Sequence, residues 1–102
     1  HEGDLYFCLE ERKVSVRGKK VDLSAREFNT LYLLLMNRKR VMTFEIIAYH
    51  VWGEEYVENG LTAIHNIMSR LRKRLKISSD IPDYIISVRG VGYKFDTIQQ
   101  KK

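Results

Sequence analysis

Cysteine is almost missing from this chain: Cys8 stands alone among 102 residues, so no disulfide can close within it. With neither a Cys-x-x-Cys pair nor a Cys/His cluster, a zinc site has no ligand set, and neither metal nor cofactor is expected. Proline occurs once, at Pro82, which together with 44% hydrophobic residues argues against disorder. No apolar run approaches the roughly 18 to 20 residues a membrane span needs, and no signal-peptide pattern precedes the first expected strand. A cytoplasmic, reducing setting is the simplest expectation.

Negative charge is also in short supply. Lys and Arg number 18 against 13 Asp and Glu, giving a net charge of +5 and a pI near 9.4, a balance that favours a polyanionic partner. The placement of the charge says more than its sum. Residues 1–27 carry equal numbers of basic and acidic side chains, whereas Arg38, Lys39, Arg40, Arg70, Arg72, Lys73, Arg74, Lys76, Arg89 and Lys94 supply the excess. Acid is concentrated instead at Glu54, Glu55 and Glu58. The length suits one domain over residues 1–102 with a single core. A start at His1 without Met leads us to expect a piece of a longer protein.

Periodicity orders the elements. Leu5–Leu9, Val14–Arg17 and Lys20–Leu23 read as short strands, with Gly18 and Lys19 turning between the last two, which implies a small antiparallel sheet. Ser24-Ala25-Arg26-Glu27 matches a capping box, so a helix should start there and bury Phe28, Leu31, Tyr32, Leu34 and Leu35 before Asn37-Arg38-Lys39-Arg40 ends it. Val41 and Met42 form a brief extended link, Thr43 caps a second helix, and Gly53 stops that helix. Ser78–Asp83 is turn-rich. Tyr84–Arg89 and Tyr93–Ile98 then flank Gly90-Val91-Gly92 as a β-hairpin. The fold class is therefore α+β: an N-terminal antiparallel sheet, three helices and a C-terminal hairpin, the winged variant of helix-turn-helix.

The third helix, 59–76, carries the functional signal. Leu61, Ile64, Met68, Leu71 and Leu75 recur at helical spacing as one apolar stripe, leaving Thr62, Asn66, Ser69, Arg70 and Lys73 on the solvent side. Small hydroxyl and amide groups lie toward its start and cations toward its end, with no acid between. Asn66 suits bidentate pairing with adenine, Thr62 and Ser69 suit bases or phosphate, and Arg70 and Lys73 can neutralise phosphates. Arg72 lies closer to the stripe and should lay its stem along the core edge. A one-sided basic helix is also what plain solvation produces, so the rest of the chain has to decide.

Catalysis has no candidate constellation. Glu54, Glu55 and Glu58 lack a neighbouring nucleophile, metal or pocket, and an enzyme is not expected. His50 and His65 have no third ligand and read as ordinary histidines, with His65 close enough to the polar face to graze a bound duplex.

Four segments are similar, in order and spacing, to the OmpR/PhoB-type DNA-binding domain of two-component response regulators: Val21-Asp22-Leu23-Ser24 with Glu27-Phe28; Val51-Trp52-Gly53; Ser69-Arg70-Leu71-Arg72-Lys73 with Leu75; and Val88-Arg89-Gly90-Val91-Gly92-Tyr93. The likeness runs from about Leu5 to Phe95, and the hairpin motif is its most specific part. It implies a winged helix attached to a receiver domain that answers a histidine kinase, with two copies on direct DNA repeats. The third helix would enter the major groove, where Ser69, Arg70 and Arg72 correspond by position to helix contacts; side-chain chemistry, not the resemblance, adds Thr62 and Asn66 to Ser69 and Arg70 as base-facing residues. Arg72, Lys73, Trp52, Ser87 and Tyr93 would face phosphates, and Arg89 the minor groove. Glu54, Glu55, Tyr56 and Glu58 would lie in the loop that can meet RNA polymerase in this family.

One departure matters. Where many members carry an Arg and later Asp-Val-His, this chain has Thr62 and then His65-Asn66-Ile67, so no base preference can be carried over. A different class of function, a winged helix that binds a protein through its acidic loop and basic wing, fits the same composition.

Overall fold

The computed structural model describes residues 4–53 and 60–96, so the acidic segment with Glu54, Glu55, Tyr56 and Glu58 lies outside the described residues. The elements are β1 (Leu5–Cys8), β2 (Lys13–Val16), β3 (Lys19–Lys20), α1 (Ala25–Met36), β4 (Met42–Thr43), α2 (Phe44–Trp52), α3 (Gly60–Leu75), β5 (Ile85–Val88) and β6 (Gly92–Phe95). Two antiparallel sheets, ordered β1-β2-β3 and β4-β6-β5, bracket the three helices.

The N-terminal sheet pairs Leu5 with Val16 and Phe7 with Val14, and this register aims Leu5, Val14 and Val16 into the core. Its second turn falls on Arg17 and Gly18, both with positive φ, one residue earlier than the sequence suggested. The third strand is correspondingly short. Val21 still donates to the Val14 carbonyl at 2.8 Å, but the chain must then leave the sheet so that Ser24 can cap α1.

That capping box forms as expected. The Glu27 amide donates to Ser24 Oγ at 3.1 Å, and the Ser24 amide donates to Glu27 Oε1 at 2.9 Å. Phe28, Leu31 and Leu34 are buried; Leu33 joins them, while Tyr32 and Leu35 are half-buried. Thr30 is also buried, its hydroxyl satisfied by donating to the Arg26 carbonyl at 2.7 Å.

The link at Met42 and Thr43 is more than a link. Met42 pairs with Tyr93 and Thr43 with Gly92, making it the third strand of the wing sheet. Thr43 also caps α2, its Oγ1 accepting from the Ile46 amide at 3.2 Å. One short segment therefore fixes both the wing and the start of α2. Closing that helix, Gly53 has φ +65.

Helix α3 buries Ile64, Ile67, Met68, Leu71 and Leu75. Leu61, expected in this stripe, is 44% exposed instead. Helical geometry explains the exchange: Gly60, Ile64, Ile67 and Leu71 line up under the 3.6-residue repeat, and Leu61 falls to one side of that line. The buried stripe seats against Leu31, Leu34, Ile47, Ile85 and Phe95, all essentially inaccessible to solvent. Each such side chain contributes roughly 1.5–3 kcal/mol by leaving water. The sequence drew the hairpin over Tyr84–Arg89 and Tyr93–Ile98, and Tyr84, Arg89 and Asp96 fall outside the observed strands. The strands are shorter, and Ile98 lies outside the described residues.

Candidate nucleic-acid interface

The exposed side of α3 has a centre and two flanks, and they behave differently. At the centre, Thr62, Asn66, Ser69 and Lys73 are exposed, and among the described residues none of their side chains is hydrogen-bonded to the protein. These are short polar groups and one cation on a rigid rod, free to meet an external hydrogen-bonding surface.

One flank is tied to α1. Arg70 Nε donates to Glu27 Oε2 at 3.1 Å, and Arg74 Nε lies 3.2 Å from Glu27 Oε1. Residues four apart on a helix share a face, so one carboxylate can hold both guanidinium groups. The Glu27 side chain is only 3% exposed, whereas the two arginines are about half exposed. Burial alone would push the Glu27 carboxyl above its ordinary value. The Ser24 amide and the charges of Arg70 and Arg74 outweigh that penalty and hold it below.

The other flank is tied to the wing. Arg72 Nε donates to the Ile85 carbonyl at 3.0 Å, and its guanidinium carbon sits 5.6 Å from the centre of the Tyr93 ring. Arg72 is half-buried. Tyr93 is itself 4% exposed, and its hydroxyl is hydrogen-bonded to His65 Nδ1. Burial raises the Tyr93 phenol, with Arg72 pulling the other way, so the hydroxyl keeps its proton at ordinary pH. Arg72 and Tyr93, assigned by the resemblance to phosphate contact, are thus already engaged with the protein, as is Arg70, assigned to base reading.

The wing ends in an exposed tip. Arg89 is exposed beside Gly90, whose φ of +76 turns the chain, and the Val91 amide closes the turn by donating to the Val88 carbonyl at 2.9 Å. Ser87 is exposed and lies opposite Tyr93 in the hairpin register. Trp52, at the end of α2, is half-buried against the core, with the Arg26 guanidinium 5.6 Å from its ring.

Sequence reasoning missed two of these relationships. The acid absent from α3 is delivered by α1, and the clue was a pair of arginines four apart with no acidic partner on their own helix. The His65–Tyr93 contact joins residues 28 positions apart, and no local spacing announces it. Among the described residues no helix is long and apolar enough to cross a membrane, and no cluster of three His, Cys, Asp or Glu could hold a metal ion.

Comparison with known proteins gives a consistent answer. Residues 18–95 match the family model described as "Transcriptional regulatory protein, C terminal". A probable transcriptional regulatory protein of Picosynechococcus is 35% identical over 92 residues, covering 90% of this chain but 36% of that protein. The response regulator DrrB of Thermotoga maritima, an OmpR/PhoB homologue, superposes with a TM-score of 0.79 at 31% identity, covering 91% of this chain and 42% of that one. The DNA-binding domain of Klebsiella pneumoniae RstA, solved in complex with the RstA box, gives a TM-score of 0.77 at 28% identity, covering 93% of both chains. The chain thus spans well under half the length of the first two.

Proposed function

The chain belongs to the family of transcriptional regulatory protein C-terminal domains of the OmpR/PhoB type, and on that premise we propose that it binds double-stranded DNA sequence-specifically as the output domain of a two-component response regulator. The observation that carries this reading is the bare central face of α3: among the described residues Thr62, Asn66, Ser69 and Lys73 make no side-chain hydrogen bond, while both flanks of the same helix are tied down. A helix held rigidly on two sides with its polar centre vacant is preorganised for a major groove.

In this reading Thr62, Asn66 and Ser69 read base edges, and Arg70 joins them through the terminal nitrogens that its Glu27 contact does not use. Lys73 neutralises phosphate. Arg89 enters the neighbouring minor groove from the wing tip, where a narrow groove concentrates negative potential. Trp52, Ser87, Arg72 and Tyr93 border phosphates. The function is binding without chemistry, in the cytoplasm. A receiver domain elsewhere in the protein would answer a histidine kinase, two copies would occupy direct repeats, and the acidic segment around Glu54, Glu55, Tyr56 and Glu58 would meet RNA polymerase.

Selection from randomised duplexes, repeated over a range of salt, tests this reading. An enriched repeated motif with a steep log–log fall of affinity with salt is the expected result. No enrichment even at low salt would overturn it and favour a protein-binding winged helix.

A further inference from the structure

His65 stands between the bare face of α3 and the wing, and its surroundings fix both its orientation and its protonation pattern. Its Nδ1 is hydrogen-bonded to the Tyr93 hydroxyl. The Phe44 ring packs edge-on against His65, with centroids 5.6 Å apart, and edge-on against Tyr93 at 6.2 Å, while His65 and Tyr93 meet at 5.7 Å. Three mutually edge-packed rings from α2, α3 and β6 leave the imidazole little freedom to turn.

The hydrogen-bond inventory then selects a tautomer. A neutral imidazole has one N–H and one lone-pair nitrogen. If Nδ1 carried the proton, it would donate to the phenol oxygen and leave the O–H of a 4% exposed tyrosine without an acceptor in the described structure. If the Tyr93 O–H donates to Nδ1, both groups are satisfied. The proton of His65 then sits on Nε2, on the side of the ring away from Tyr93. Because His65 is exposed, that N–H is available to an outside acceptor.

Resting on the DNA-binding reading above, we infer that His65 is a further specificity-determining residue, presenting a fixed Nε2–H donor to a guanine edge in the major groove, with Tyr93 as its positioning residue. Guanine offers two adjacent acceptors there, N7 and O6, whereas cytosine offers a donor that would oppose the imidazole N–H. The Arg72 guanidinium lies over the Tyr93 ring, 5.6 Å from its centre. His65 thus extends the reading face from its centre toward the wing.

Two measurements test this. Long-range proton–nitrogen NMR of the free 102-residue chain, at a pH where imidazole is neutral, should show His65 protonated at Nε2, and Tyr93→Phe should turn that signal into a tautomer mixture. Protonation at Nδ1 in the wild type would overturn the inference. In duplex selection, His65→Ala should relax a guanine preference at one position by about tenfold, and Tyr93→Phe should relax the same position less. Unchanged preferences at every position, or an equal loss on all duplexes, would overturn the base contact; the second would mark His65 as a phosphate ligand. A wild-type chain that enriches no motif would instead refute DNA reading itself, and the base contact with it. Circular dichroism of both variants separates these outcomes from misfolding.

Discussion

Glu27 and Arg70, 43 residues apart in sequence, meet at 3.1 Å across the junction of α1 and α3. The carboxylate is buried and does three jobs at once: it completes the α1 capping box, receives Arg70, and receives Arg74. Glu27→Ala removes all three, and urea unfolding should show a loss of about 1–3 kcal/mol, since capping alone contributes up to roughly 2. The ion pairs add little beyond that, because both arginines are half exposed and solvent screens them. Glu27→Gln keeps a hydrogen-bond acceptor for the Ser24 amide and should lose less. An alanine variant as stable as the wild type would remove Glu27 from the account of how α3 is held.

The same carboxyl sets an acid dependence. Its folded-state value is depressed, so its contribution is complete above the unfolded carboxylate range and disappears as pH falls through the folded value. Stability of the wild type should therefore decline as the solution is acidified below that range, and Glu27→Gln should decline less steeply over the same window. Parallel urea-midpoint curves for the two proteins would contradict this.

Much of this arrangement was legible in sequence because it is local. Ser24 and Glu27 are three apart, Thr43 and Ile46 likewise, and each cap formed where its spacing placed it. The apolar period of α3 was legible too, except at Leu61, where the counted stripe drifted off the helical line, and at Ile67, which the count left out and the helix buries. What spacing could not reveal is contact across the chain. The wing gains a third strand because Met42 and Thr43 meet Tyr93 and Gly92. Likewise Arg70, Arg72 and Tyr93 present the same residue types a reader would assign to DNA, yet each spends hydrogen-bonding capacity on its own protein.

Gly92 and Gly90 look equivalent in the hairpin motif but answer to different constraints. A Cβ on Gly92 would lie 1.9 Å from the Met42 carbonyl oxygen and 2.8 Å from Thr43 Cα, and neither backbone atom can swing aside. Gly92→Ala should therefore break the β4–β6 pairing and cost at least about 2–3 kcal/mol. At Gly90 there is open space, and the objection to alanine is the positive φ alone, worth about 1–2 kcal/mol. Chemical denaturation of the pair should rank them in that order, with amide exchange in Gly92→Ala rising at Lys39 and Phe44, whose amides donate to Phe95 and Val91. Equal losses would argue that close approach is not what Gly92 supplies.

Asn66 and Lys73 share the bare face of α3 but should fail differently. An amide can pair with both acceptor and donor of one base, whereas an ammonium senses only charge. Asn66→Ala should cost about 1–3 kcal/mol on the preferred sequence and relax one base position. Lys73→Ala should weaken all duplexes alike and lower the salt slope by roughly one. Binding isotherms on matched and mismatched duplexes at several salt concentrations distinguish the two, and sequence-blind losses from both would remove Asn66 from base reading.

Arg89 offers a test confined to the wing. It is exposed at a tip whose turn is closed by the backbone bond between Val91 and Val88, so truncating its side chain leaves the fold intact. A guanidinium entering a minor groove gains most where A/T-rich sequence narrows the groove and deepens its negative potential. Arg89→Ala should accordingly weaken binding several-fold more on duplexes with an A/T-rich flank than on those with a G/C-rich flank, at unchanged melting temperature. An equal loss on both flanks would move Arg89 from the groove to the phosphate backbone, where charge is read without regard to width.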